Sequence, residues 1–144
     1  MEGSAHVLVV ANRTADSDEL LAALKERAQQ GAPRFTLLVP ATPHGVAWAA
    51  DMHSGSAEAE THMQRAVEGM RAAGLDVADG VLGDPDPVAA VQDLLNTGGE
   101  FNEVVVATLP KHLSRWLKLD LPSRVKRSSG LPVTHVEASE PESS

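Results

Sequence analysis

Five short apolar runs, each rich in β-branched residues, recur along the chain and limit its folding options most. They are HVLVVA (6–11), RFTLLVP (34–40), LDVADGVLG (75–83), EVVVATL (103–109) and PVTHVE (132–137). Runs such as VLVV and VVVA are continuous and not alternating, as required of strands covered on both faces. Helix-like segments separate them, so the order reads β-α-β-α-β-α-β-α-β. With right-handed crossovers this predicts an α/β chain: a five-stranded parallel sheet inside a three-layer α/β/α sandwich.

The intervening segments carry helical signals. DSDELLAALKERAQQG (16–31) opens on Asp and Ser caps and stops at Gly31, with Leu20, Leu21, Leu24 and Ala28 on one stripe. A long connection (41–56) then leads into a helix expected over 56–74, with Ala59, Met63, Ala66, Val67 and Met70 facing inward. DPVAAVQDLLNTGG (86–99) has Asp86 as N-cap and Pro87 in the first turn, with Val88, Val91, Leu94 and Leu95 inward. The last helical region, 111–129, is expected to be interrupted at Pro122.

The length of 144 residues suits one domain, expected over 1–138, with 139–144 as a disordered acidic tail. No run approaches the roughly 18–20 apolar residues of a membrane span, so no membrane partner is expected. The first residues lack a basic segment of the signal-peptide type, and a cytoplasmic location is expected. The absence of cysteine excludes disulfides, thiolate metal sites and cysteine nucleophiles. A net charge of −8 argues against nucleic acid as a partner. Against that charge, 111–127 holds six of the twelve Lys and Arg and a single acid. It reads either as a solvated helix face or as a local anion site.

Parallel sheets of this kind bind ligands beyond the carboxyl ends of their strands, near the point where strand order reverses. That directs attention to the residues after strands one, two and four. Asn12, Arg13 and Thr14 follow the first, where Arg13 can face the fourth-strand loop. Alternatively Asn12 caps a turn, and Thr14 or Asp16 caps the first helix. Val39 and Pro40 end the second strand, and Thr108 ends the fourth.

The order of elements, the GDPDPV turn at Gly83 and Pro85, and the spacing after strand four resemble the universal stress protein (UspA-like) family. The likeness extends over nearly the whole chain. It implies the Rossmann-like topology of the adenine-nucleotide hydrolases and a role in stress response. It also implies adenine laid against the end of strand two, at Val39 and Pro40, and a homodimer paired through the last strand. Where the family has Asp and Ser after strand one, ANRT places Asn12 and Thr14. The family's ATP motif is G-x2-G-x9-G-[S/T]; this chain keeps the frame as Ala107-x2-Pro110-x9-Asp120-Leu121, with every motif position changed.

Those changes bear on phosphate binding. Glycine lets backbone N–H groups converge on an anion, and Pro110 has no N–H to offer. Asp120 precedes LPSRVKRSSG and reads as the helix cap in the phosphate position, its carboxylate accepting the orphan amides. Side chains can take over: Lys111, His112, Ser114 and Arg115 share the loop, and Arg supplies a bidentate fork. The opposing reading has Leu113, Trp116 and Leu117 docking this turn on the core.

No metal site is expected, because the six histidines show no ligand spacing; Glu58 and His62 form a helical pair. No catalytic constellation is present either. The expectation is a non-catalytic binding or regulatory module with an altered or lost ATP-phosphate site. No cofactor is required, although ATP or another adenine nucleotide fits the fold. The alternative is a nucleotide-binding protein or weak ATPase that grips phosphate through Arg13, Thr108, Ser114 and Arg115.

Overall fold

In a computed structural model, the described residues are 5–11, 13–31, 33–40, 52–83, 86–97, 100–109, 116 and 120–138. β1 (His6–Val10) occupies the middle of the sheet, and its Val7, Leu8, Val9 and Val10 are wholly buried. β2 (Arg34–Pro40) and β4 (Glu103–Thr108) flank it, in parallel. β3 (Asp76–Gly83) and β5 (Val133–Glu137) form the edges, giving a five-stranded order β3-β2-β1-β4-β5. All four pairings are parallel, as the continuous apolar runs predict.

Successive side chains point to opposite faces, so each buried strand feeds two cores. On one face Val7, Val9, Phe35, Leu37, Val39, Val105 and Ala107 pack against α1 (Asp18–Ala28) and α2 (Met52–Ala72). On the other, Leu8, Val10, Leu38, Val104 and Val106 meet α3 (Pro87–Asn96) and α4 (Leu121–Ser129). This is the three-layer sandwich. Leu20 and Leu24 of α1 are fully buried, with Leu21 and Ala28 beside them, and Met63, Ala66, Val67 and Met70 of α2 join the same core. On α3 the buried stripe includes Ala90 as well as Val91.

One helix boundary, the start of α2, departs from the sequence expectation. Of the caps expected for α1, Ser17 is the one used, its Oγ accepting from the Leu20 amide at 3.2 Å; Thr14 and Asp16 lie in a 3-10 turn (Arg13–Asp16) that comes first. α2 starts at Met52, four residues before the expected start, because Ser54 and Gly55 lie inside its first turn. α4 begins at Leu121 with Pro122 in its first turn, where the missing N–H costs nothing; of the expected helical region, 111–115 and 117–119 lie outside the described residues. Asp86 caps α3 as expected, accepting from the Val88 amide at 3.0 Å.

Long-range polar contacts hold these elements in register. Arg27 at the end of α1 grips Glu103 at the start of β4 with two parallel bonds, Nε to Oε2 at 3.0 Å and Nη2 to Oε1 at 3.1 Å. That contact raises the pKa of Arg27. Across the other face, the Gln92 amide of α3 donates to the Ser128 carbonyl of α4 at 2.7 Å.

Candidate functional site

Sequence order reverses between β1 and β4, so the favoured ligand edge lies beyond their carboxyl ends. Helices in such crossovers run antiparallel to the strands, which brings the starts of α1, α3 and α4 to the same edge.

Two of the expected site residues that the structure describes carry hydroxyls, and both are already engaged. Thr14 is 4% exposed, and its Oγ1 donates to the Ala107 carbonyl at 3.2 Å. The turn after β1 is thereby tied to the end of β4. Thr108 is 2% exposed, and its Oγ1 lies 2.7 Å from Nε2 of His135 on β5. The Thr108 carbonyl accepts from the Ala138 amide at 2.8 Å. Thr14, Ala107, Thr108 and His135 thus form a chain of contacts from the first-strand turn to the sheet edge. His135 escaped the sequence reading, since nothing local links it to a residue 27 positions earlier.

At the end of β2, Val39 and Pro40 are both buried. Val39 points into the α1/α2 core, and Pro40 lies in register with Gly83 of β3. Gly83 belongs there for a steric reason: a Cβ at this position would lie 2.8 Å from Leu38 Cδ1 and 2.9 Å from Ala90 Cβ. The glycine of the GDPDP turn lets α3 pack directly on β2.

Asp120 occupies the N-cap position of α4, as the sequence suggests, but it does not cap. Its backbone is left-handed, with φ 57° and ψ 47°, and its side chain makes no capping hydrogen bond. An N-cap carboxylate reaches the amides two or three residues on from an extended backbone, as Asp86 does at φ −82° and ψ 111°. A left-handed backbone turns the side chain away from them. Among the described residues Asp120 alone, apart from glycines, has positive φ. The conformation is the one glycine adopts without strain, and Asp is among the few other residues that visit it. The first helical bond of α4 runs from the Arg124 amide to the Asp120 carbonyl at 3.1 Å.

Asn12, Pro110, Ser114 and Arg115 lie outside the described residues, as do Lys111, His112, Leu113 and Leu117 and the side chain of Arg13. Trp116 is partly buried and packs on the α3/α4 core, which fits the docking reading of this segment. Among the described residues no cluster of three or more His, Asp or Glu side chains is placed to hold a metal ion. Nor is any helix there long and apolar enough to cross a membrane.

No protein-family model and no curated protein sequence matches the chain. Solved structures do. A universal stress protein from Archaeoglobus fulgidus superposes with a TM-score of 0.62 at 16% identity, over 90% of this chain and 93% of that one. The universal stress protein from Archaeoglobus fulgidus in complex with dAMP gives 0.61 at 14% identity, over 94% and 99%. A universal stress protein in complex with cAMP gives 0.59 at 22% identity, over 94% and 98%. The likeness spans the two chains almost from end to end, and the chain therefore has the fold of the universal stress proteins.

Proposed function

We propose that this chain is a universal-stress-protein-like module that binds an adenine nucleotide and works by binding, with no catalytic chemistry of its own. Its grip on phosphate is altered from that of the family's glycine-rich loop. The observation that supports this most is the left-handed backbone at Asp120. The position corresponding to a motif glycine keeps a glycine's conformation while its side chain is charged. A ligand edge kept from the family, with different chemistry at Asp120, accounts for both facts. Two of the similar structures hold adenine nucleotides, cAMP and dAMP, which points to that ligand class. The ATPase reading needs Thr108 as a phosphate grip, whereas its hydroxyl is held by His135.

The module pairs as a homodimer through β5, in keeping with a cytoplasmic regulatory role. The two sheet edges differ in a way that favours this. β3 is irregular, with a register shift beside Phe35 and Thr36, and the Arg71 guanidinium covers the Val77 carbonyl at 2.9 and 3.1 Å. Such features block strand addition. β5 pairs with β4 in unbroken register and exposes Thr134, His135 and Glu137.

Calorimetric titration with adenosine, AMP, cAMP, ADP and ATP tests the first part. Saturable one-to-one binding of at least one of them is expected, and no binding by any would reject the reading. Light scattering at rising concentration tests the second, and a strictly monomeric species would refute the β5 pairing.

A further inference from the structure

Building on the reading that β5 pairs with a second copy, we infer that the copy lies antiparallel in one register, with His135 facing the partner's His135 across the two-fold axis. The direction of the backbone groups carries the argument. The Val104 amide donates to the Pro132 carbonyl at 2.9 Å, and the Ala138 amide to the Thr108 carbonyl at 2.8 Å. These bonds lie at the two ends of the β4–β5 pairing. Backbone groups alternate sides along a strand, so the even-numbered residues of β5 face β4. The N–H and C=O groups of Val133, His135 and Glu137 therefore point out from the edge of the sheet.

This edge is self-complementary in one way above others. A two-fold pair sets each residue against its counterpart in both directions. With His135 against itself, Val133 meets the partner's Glu137, and Glu137 meets the partner's Val133. Each of these pairs exchanges two bonds in an antiparallel ladder, so every outward donor and acceptor on β5 is used. Slipping the partner by one two-residue step leaves the match incomplete. In one direction Glu137 is offered the Leu131 amide, which already donates to Ser129 Oγ at 3.1 Å. In the other, Val133 is carried past the end of the strand at Glu137. The side chains agree with the central register. Glu137 and the partner's Glu137 fall at opposite ends of the paired stretch, so neither faces a like charge. On the α1 face Thr134 meets the partner's Val136, a β-branched pair of the kind that stabilises sheets.

The chain has no cysteine, so single replacements report the register through disulfide formation. Thr134→Cys, His135→Cys and Val136→Cys are each oxidised with diamide, alongside light scattering at the same concentrations. Residues directly opposite have Cα atoms about 4.5–5.5 Å apart, within disulfide reach, whereas an offset of two residues puts them beyond about 7 Å. His135→Cys should link to itself on the order of tenfold faster than either neighbour. Thr134→Cys and Val136→Cys should link to each other when mixed, while each alone stays largely unlinked. Fastest self-linking at position 134 or 136 overturns the register and leaves the β5 dimer standing. A dimer that links at none of these positions overturns both, as does a chain that stays monomeric throughout.

Discussion

Thr108 Oγ1 lies 2.7 Å from Nε2 of His135, and this bond joins the end of β4 to the edge strand β5. The threonine is buried and the histidine exposed, so loss of the bond falls unequally on the two. In Thr108→Val, His135 can turn to water while the buried position receives a methyl of matching size. The expected loss of stability is about 1 kcal/mol by chemical denaturation. Adenine-nucleotide affinity should change less than about threefold, under ~0.7 kcal/mol. A tenfold or larger drop would make Thr108 a ligand group and favour the ATPase alternative.

Gly83 stands where β3 runs into the GDPDP turn, and the space its missing Cβ leaves is filled from two sides. Leu38 Cδ1 would lie at 2.8 Å and Ala90 Cβ at 2.9 Å from an added methyl. Leu38 can shift its terminal methyl, but Ala90 has no rotamer to change and must carry α3 with it. Gly83→Ala should therefore cost about 1–3 kcal/mol, the usual penalty for overpacking a filled core. Guanidinium chloride unfolding reads this directly. A variant as stable as wild type would mean that α3 sits more loosely on the sheet than these distances indicate.

His6 gives the fold a defined acid sensitivity. Its ring lies 4.4 Å from that of Phe101, and Nε2 is 2.7 Å from Thr36 Oγ1. Desolvation among these groups lowers its pKa below the usual 6.5; Arg34 adds to the lowering, while a bond to the Glu100 backbone and the charge of Asp76 oppose it. A histidine depressed in the folded state contributes stability that is complete above pH 6.5 and lost as pH falls toward the folded value. Below 6.5 the unfolded chain takes up the proton first. Urea unfolding of wild type and His6→Gln between pH 8 and 5 should show the wild-type advantage shrinking with acidity. Groups remote from position 6 are common to both proteins and cancel in the difference. Parallel curves would rule this out.

How much of this was open to reading from residues alone depended on how local the cause was. β1 and β4 were legible because their burial on both faces demands unbroken apolar runs. Asp86 was legible as a cap because Pro87 follows it directly, and its extended backbone obeys the usual rule. Ser54 and Gly55 suggest a loop, and only the finished fold shows them in the first turn of α2. Thr14 and Thr108 lie just past β1 and at the end of β4, as the strand pattern places them, but their partners are 93 and 27 residues away, and composition carries no trace of such pairings. Asp120 illustrates the limit best. Residue type and neighbours marked its position, while its left-handed backbone, which decides what the carboxylate can reach, leaves no mark on residue type.

That conformation makes a stability series at Asp120 informative in its own right. A left-handed backbone costs an ordinary L-residue roughly 1–2 kcal/mol, and Asp or Asn somewhat less. Glycine avoids the strain but loses more chain entropy on folding, about 0.5–1 kcal/mol relative to Ala. The two nearly offset, and glycine also gives up the carboxylate's contact with the helix start, so Asp120→Gly should lie within about 1 kcal/mol of wild type. Asp120→Asn should match wild type closely, losing only the favourable contact between carboxylate and helix start, about 0.3–1 kcal/mol. Asp120→Val, branched at Cβ and poorly suited to positive φ, should lose about 1–2 kcal/mol. A carboxylate acting as a true cap predicts a different order, with glycine a few tenths below wild type. Denaturation midpoints of the four proteins distinguish these cases, and a glycine variant less stable than the equally uncharged Asp120→Asn by over ~0.5 kcal/mol would contradict the uncapped, left-handed geometry. If the glycine variant is as stable as wild type, folding does not require the charge, and its presence at the ligand edge calls for an explanation in binding.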